Sequence, residues 1–365
     1  MIALFITIGL LAILIAAFMN QPQFGKLPTG ERLERIQKAG NYKNGSFQNE
    51  SYTPMLTEGE NYWTLSMDYF FGTKPKRKPS HALPSVKTDL LHADSDENFL
   101  VWFGHSSYYM QVDGKRILVD PVLSGSASPL PLGLKAFKGT DIYSTDDIPI
   151  IDFLFISHDH WDHLDYATIK KLQPKVNKVI CGLGVGAHLE HWGYNSNKIV
   201  ECNWHETVQL EENFVVHTIP ARHFSGRGLA RNKSLWLSFV WLSPTLSIFI
   251  GGDSGFDDHF EKVGNQFGPF DLAVLENGQY DKKWRYIHLM PDQVIPAAQL
   301  LKAKKLLPVH SSKFMLGNHA WNEPLELISQ QDTTPDLQIL TPMIGEKVDI
   351  NSSEQVFEKW WTNIS

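Results

Sequence analysis

Cysteine is almost absent: Cys181 and Cys202 are the only 2 in 365 residues. Two are too few for a disulfide scaffold, and neither sits in a paired zinc or redox motif. A broad positive field is missing as well. Lysine and arginine number 33 against 40 aspartates and glutamates, a net charge of −7, which argues against a chain that grips the phosphate backbone of nucleic acid. No internal repeat and no long low-complexity tract is found, which sets aside a repeat array. What remains, 42% hydrophobic and 20% charged residues, is a globular composition with enough length for one large domain or two ordinary ones.

Charge is also absent from MIALFITIGLLAILIAAFM, residues 1–19. A bilayer core of about 30 Å takes about 20 apolar residues in a helix, so this segment is expected to span a membrane. It lacks a basic start and a small-residue cleavage site, so it reads as an uncleaved anchor rather than a removed signal. It also lacks a polar face, which disfavours a buried core helix. Lys26, Arg32, Arg35 and Lys38 follow it, and a basic excess marks the cytoplasmic side. The catalytic body is therefore expected in the cytoplasm, with the periplasmic side as the alternative. Residues 20–95, rich in Pro, Gly, Asn, Ser and charge, read as an extension wrapping a core domain over 96–365. The extension carries an aromatic cluster, NYWTLSMDYFFG (61–72), and a basic run, KPKRK (74–78), which either touches anionic lipid headgroups or is a solvated linker.

From residue 98 the pattern turns strand-rich. NFLVWF, SYYMQV and RILVDP are apolar or alternating, and the Asp113-Gly114 pair between the last two predicts a hairpin. Further strands are expected at IPIIDFLFIS, NKVIC, ENFVVHTIP, SLWLSFVWLS, LSIFIGGD, DLAVLE and KLLPVH, with helices at DYATIKKLQ and PDQVIPAAQLLKA. The mixture implies an α/β domain with sheets buried between helical layers.

Directly after the apolar run IDFLFI comes SHDHWDHLDY, with three histidines and three aspartates in residues 157–166. In extended backbone, positions i and i+2 point the same way, so His158 and His160 can converge on one point. Asp162 and His163 are adjacent and can serve a second point a few ångströms away. Imidazole and carboxylate without thiolate suit zinc or a similar divalent transition metal.

The H-x-H-x-D-H spacing resembles the signature of the metallo-β-lactamase superfamily, which implies a four-layered αββα sandwich with a two-metal site at the sheet edges. The other motifs of that superfamily have counterparts: His223 in ARHFSGRG, Asp253 in FIGGDSGF and His310 in KLLPVHSSKF. The resemblance implies His158, His160 and His223 on one zinc ion, Asp162, His163 and His310 on a second, and Asp253 between them. Asp120 in RILVDP matches an outer aspartate that orients a ligand histidine, and His105 in FGHSS is a further outer candidate. The flanks, among them WFGHSSYYMQVDGKRILVDP and LLPVHSSKFMLGNHAWNEP, look like the N-acylphosphatidylethanolamine-hydrolysing phospholipase D branch and its bacterial relatives. They imply a phospholipid substrate and place His288 in WRYIHLMPDQ near it.

Two metals about 3.5 to 4 Å apart can hold a bridging hydroxide and neutralise a phosphate oxygen. The implied reaction is in-line attack on a phosphodiester, with Asp162 orienting the nucleophile and His288 contacting the phosphate or the leaving alcohol. A lactonase or other carbonyl hydrolase, and a non-catalytic metal-binding membrane protein, are the competing readings. The number of copies in an assembly stays open, a homo-oligomer included. His188 and His191, one helical turn apart, read as a surface or helix-end pair, and the PLPLGLKAF loop (129–137) reads either as an apolar lip beside the site or as an ordinary packed loop.

Overall fold

The computed structural model describes every residue except 73–74, 131–132, 332–335, 363 and 365. Lys74 of the basic run and residues 131–132 of the lip loop lie outside the described residues. The chain opens with α1 (Ile2–Met19), α2 (Gly30–Gln37), a short hairpin of β1 (Tyr42–Lys43) and β2 (Ser46–Phe47), and α3 (Tyr62–Phe71). Helix α3 begins at a reciprocal cap, in which Asn61 accepts from the Trp63 and Thr64 amides while Thr64 Oγ1 accepts from the Asn61 amide.

Two seven-stranded sheets follow. The first is built from β3 (Phe99–Trp102), β4 (Tyr108–Val112), β5 (Lys115–Val119), β6 (Ile151–Ile156), β7 (Val176–Gly182) and β8 (Ile199–Cys202) in spatial order. The second runs through β9 (Thr207–Glu211), β10 (Phe214–Pro220), β11 (Leu237–Leu242), β12 (Ser247–Ile250), β13 (Leu272–Glu276), β14 (Lys305–Val309) and β15 (Gln338–Ile339). A last strand, β16 (Lys347–Asp349), returns to pair antiparallel with β3. The Asp113-Gly114 turn closes β4 onto β5 with Val112 opposite Lys115, and both turn residues have positive φ, 49° and 75°. That is the two-residue hairpin the sequence predicts.

Alternation along the central strands explains the layering. In β6, Phe153 and Phe155 face the second sheet, whereas Leu154 and Ile156 face outwards onto α4 (Tyr166–Leu172) and α5 (Val185–His191). In β11 and β13, Phe239, Trp241, Leu272 and Val274 meet the first sheet, while Val240, Ala273 and Leu275 pack under α6 (His259–Phe267) and α7 (Val294–Leu300). Period-2 side chains thus feed one core between the sheets and one under each helical layer. Each fully buried Leu, Ile, Val or Phe contributes about 1.5 to 3 kcal/mol over its exposed state. The result is the expected αββα sandwich. Ile36, Phe47 and Leu83 of the preceding segment are buried in the core between the sheets.

Helix α1 departs from expectation. It forms, and its described side chains from Leu4 to Ala17 are exposed and, Thr7 apart, apolar, but 18 residues at about 1.5 Å each reach about 27 Å, against a bilayer core of about 30 Å. Among the described residues no helix is long and apolar enough to cross a membrane.

Candidate metal centre

The strand ends of both sheets meet at one edge, and the titratable residues lie there. Strand β6 delivers Ser157 and the turn His158–His163. That turn is closed by the His163 and Leu164 amides donating to the His160 carbonyl at 3.1 and 2.8 Å. His223 follows β10, Asp253 follows β12, Glu276 ends β13 and His310 follows β14. His105 and His310 both have left-handed backbone, φ 54° and 65°, which costs a non-glycine residue free energy. A reciprocal pair holds them: His105 N donates to Ser311 O and His310 N to His105 O, both at 2.9 Å.

Three groups of candidate ligand atoms result among the described residues, the third of them Asp253, Glu276, His288 and His310. In the first, His158, His160, His223 and Asp253 bring one atom each within 4.8 Å of one another. His160 Nδ1 lies 2.8 Å from His158 Nε2 and 3.3 Å from His223 Nε2. In the second, His105, Asp162, His163 and His310 do the same. Asp253 reaches both, lying 3.6 Å from His223 Nε2 through Oδ2 and 3.2 Å from His163 Nε2 through Oδ1.

Proton placement shows that these atoms fit a cation. His223 Nδ1 lies 2.7 Å from the Ile287 carbonyl, which can only accept, so Nδ1 carries the proton and Nε2 turns a lone pair inwards. His163 Nδ1 lies 2.8 Å from Asp120 Oδ2, which fixes the same tautomer. Ser157 Oγ donates to Asp120 at 2.5 Å and accepts from His158 Nδ1 at 2.9 Å, so His158 Nε2 also faces inwards. One aspartate therefore aims two imidazoles. His163 Nε2 and Asp253 Oδ1 are buried with no hydrogen-bond partner, a costly state for polar atoms unless a cation takes their lone pairs.

The electrostatics agree. Burial holds His158, His223 and His310 well below the ordinary histidine range, so their neutral, ligating forms prevail. Burial also opposes charge on His163, but Asp253 and Asp162 outweigh it and draw a proton there; a cation would displace that proton. Asp162 and Asp253 are pushed up by burial, and the surrounding histidines more than compensate, leaving both well below the carboxylate range.

The structure brings together all the residues expected from sequence. Asp120 lies behind His158 and His163 rather than among the ligands. His105 Nε2 donates to Asp162 Oδ2 at 2.7 Å, which orients that carboxylate. His288 sits beside the rings of His223 and His310, at 5.0 and 5.3 Å between centroids. Its Nδ1 is 2.6 Å from Glu276 Oε2; burial lowers its basicity, but the Glu276 charge outweighs this and the imidazole is pushed up to about 9. Glu276 went unmarked in the sequence because an acid closing an apolar strand has no spacing signature. Ser106, whose Oγ is 2.7 Å from His310 Nδ1, and Asn49, whose amide pairs with both backbone groups of His223, were equally silent. His188 lies in the last turn of α5, as the helix-end reading has it, but the surface alternative is corrected: it is buried and its Nε2 lies 3.2 Å from Asp159 Oδ2. Its partner in that reading, His191, is exposed.

A cavity of about 700 Å³ opens onto the first group, lined by His160, Asp162, His223, Asp253 and His288 and by apolar side chains that include Phe18, Met19, Phe24 and Leu65. Comparison with known proteins agrees with the architecture. Residues 115–311 match the model of the beta-lactamase superfamily domain. An uncharacterized protein of Mycobacterium tuberculosis is 32% identical over 329 residues, 89% of this chain and 88% of its own length. The N-acyl-phosphatidylethanolamine-hydrolyzing phospholipase D 1 of Caenorhabditis elegans is 29% identical over 285 residues, 72% of this chain and 78% of its own. Among solved structures, the metallo hydrolase Igni18 of Ignicoccus hospitalis superimposes with a TM-score of 0.53 at 20% identity, over 69% of this chain and 97% of that one. The sandwich, the strand-end ligand groups and the family match lead to one conclusion: the chain belongs to the beta-lactamase superfamily and is a metal-dependent hydrolase.

Proposed function

We propose that this protein hydrolyses the phosphodiester of a phospholipid with two zinc ions, cleaving on the headgroup side as a phospholipase D does, with an N-acylated phosphatidylethanolamine as the leading substrate. One observation carries the proposal: two ligand groups, both within reach of Asp253, adjoin a cavity that Asp162, Asp253 and apolar side chains line together. The resemblance to a relative named for that reaction supports the choice of bond. Bound in these groups, two divalent cations supply Lewis acidity that lowers the pKa of water towards 7 and offsets phosphate charge. His158, His160 and His223 would hold one, Asp162, His163 and His310 the other, and Asp253 both. His105 orients Asp162 through its Nε2–H. His288 holds a proton, opposed across Nδ1 by Glu276, that can pass to the departing alcohol oxygen as the phosphorus–oxygen bond breaks. The apolar walls exclude water beyond the attacking molecule and receive acyl chain.

A membrane partner belongs to the same proposal. Helix α1 exposes apolar side chains along its length, and its last residues, Phe18 and Met19, line the cavity. Tyr62, Leu130, Leu229 and Leu316, all exposed, stand around the same opening. Immersing α1 in a leaflet, without spanning it, would bring the cavity mouth to the lipid surface, with the catalytic body expected on the cytoplasmic side.

The test is digestion of a phospholipid extract followed by mass spectrometry, comparing the protein with Asp162→Asn. Release of phosphatidic acid and an N-acylethanolamine by the first and not the second is expected. Lactone opening with intact phosphodiesters would refute the proposal in favour of a carbonyl hydrolase.

A further inference from the structure

The turn that carries four of the ligand candidates contains two residues that are not ligands, Asp159 and Trp161, and both are held by partners outside the ligand groups. Asp159 is buried and accepts from three groups: Gly226 N at 2.7 Å, Ser234 Oγ at 2.6 Å and His188 Nε2 at 3.2 Å. Trp161 lies under the Arg227 guanidinium, 4.0 Å from its ring centre, and Trp192 flanks the same guanidinium at 5.1 Å. Arg227 is itself buried, and its hydrogen bonds go to carbonyls: Asp159 O at 2.9 Å and Leu164 O at 2.6 Å, one at each end of the turn, and Gln23 O at 2.9 and 3.2 Å. Four of its five N–H donors are committed in this way, which leaves one on Nη2.

The third carbonyl belongs to a segment far away in sequence. Pro22–Lys26 lies along this side of the turn: Trp192 Nε1 donates to Pro22 O at 2.7 Å, Phe24 meets Trp161 edge-on at 5.2 Å, and Lys26 N donates to His188 Nδ1 at 3.0 Å. Because Nδ1 accepts there, the His188 proton sits on Nε2, facing Asp159. His188 therefore relays a backbone amide of the early segment to the carboxylate between two ligand histidines. The approach is close: Gly25 has φ +73°, and a Cβ placed on it would lie 2.0 Å from His188 Nδ1.

From this geometry we infer that Arg227 and His188 are positioning residues that fasten the Pro22–Lys26 segment onto the back of the metal-ligand turn, so that the segment at the foot of α1 helps to set the ligand geometry. The turn has few internal bonds, and without this backing Asp159 would lose one of its three partners and the Asp159 and Leu164 carbonyls would lose the guanidinium. The inference rests on the metal-binding reading of the site and not on the choice of substrate.

The test measures transfer of zinc from the loaded full-length protein to a chromophoric chelator at 25 °C, together with hydrogen exchange of residues 158–164 in metal-free protein. Arg227→Met and Gly25→Ala are expected to release metal about tenfold faster or more, the low end of what losing an outer partner of a ligand costs, and to exchange faster at the turn. Gly30→Ala is the control. Gly30 has φ +57° and open space where a Cβ would go, so alanine there burdens another positive-φ glycine of the early segment without touching His188 and is expected to release metal at the unmodified rate. If Arg227→Met does not fold, the Gly25→Ala and Gly30→Ala pair decides. Folded Gly25→Ala protein that releases zinc at the unmodified rate overturns the inference alone. Unmodified protein that takes up no zinc overturns it together with the metal reading.

Discussion

The two ligand groups share Asp253 yet are supported differently. The first, around His158, His160 and His223, borders the cavity, and its outer partners are largely backbone or a relay: the Ile287 carbonyl, Ser157 and the His223 backbone pairing with Asn49. The second, around Asp162, His163 and His310, lies deeper, and side chains hold it directly: His105 on Asp162, Asp120 on His163 and Ser106 on His310. Only Asp162 of that group lines the cavity. The contrast suggests a division of labour in which the deeper group is rigid scaffolding and the outer one meets substrate. Asp120 is the exception that joins them, since it orients His163 directly and His158 through Ser157.

Substitutions can break that comparison in graded steps. Asp253→Asn weakens both groups, so metal content measured by mass spectrometry should fall from about two per chain to less than one, and hydrolysis by more than about 100-fold, the upper end of what loss of one outer partner costs. Asp162→Asn should remove the deeper cation and leave the outer one, giving about one metal per chain with hydrolysis lost. Asp120→Asn should cost about 10- to 100-fold in affinity at both groups, whereas Ser106→Ala should weaken the deeper one alone; equal, site-blind losses in a two-step zinc titration would show that the two supports are not distinct.

The smallest effect concerns His288. Its folded pKa of about 9 exceeds its unfolded value, so its contribution to stability is complete below about pH 6.5 and is lost as pH rises through about 9. Glu276→Gln removes the main cause of that shift. Metal-free Glu276→Gln protein should then lose the decline in stability between those limits that this group causes, as read by denaturant unfolding across pH, and a superimposable pH profile would refute the pairing.

Much of this centre was legible because its information is local. The turn His158–His163 encodes directions in its own spacing, and His223, Asp253 and His310 each follow an apolar run that ends as a strand. The layers were legible for the same reason, period-2 apolar runs joined by helix-like stretches. What stayed hidden depends on residues distant in sequence. Glu276 and Ser106 act through single contacts with His288 and His310. His188 looked like half of a surface pair because nothing near it in sequence shows Lys26 N and Asp159 closing on either side of its ring. Strand β16 was missed because three residues near the end of the chain give no periodicity, although they cover the edge of β3. Helix α1 was legible as a helix from its uncharged apolar run, and among the described residues no helix is long and apolar enough to cross a membrane.

The most direct test of the whole account is anomalous diffraction from crystals of zinc-saturated protein. Two peaks are predicted, one about 2.0 to 2.2 Å from nitrogens of His158, His160 and His223, the other at the same range from Asp162, His163 and His310, with Asp253 touching both. A single peak, or none with these side chains too far apart to share an ion, would contradict it.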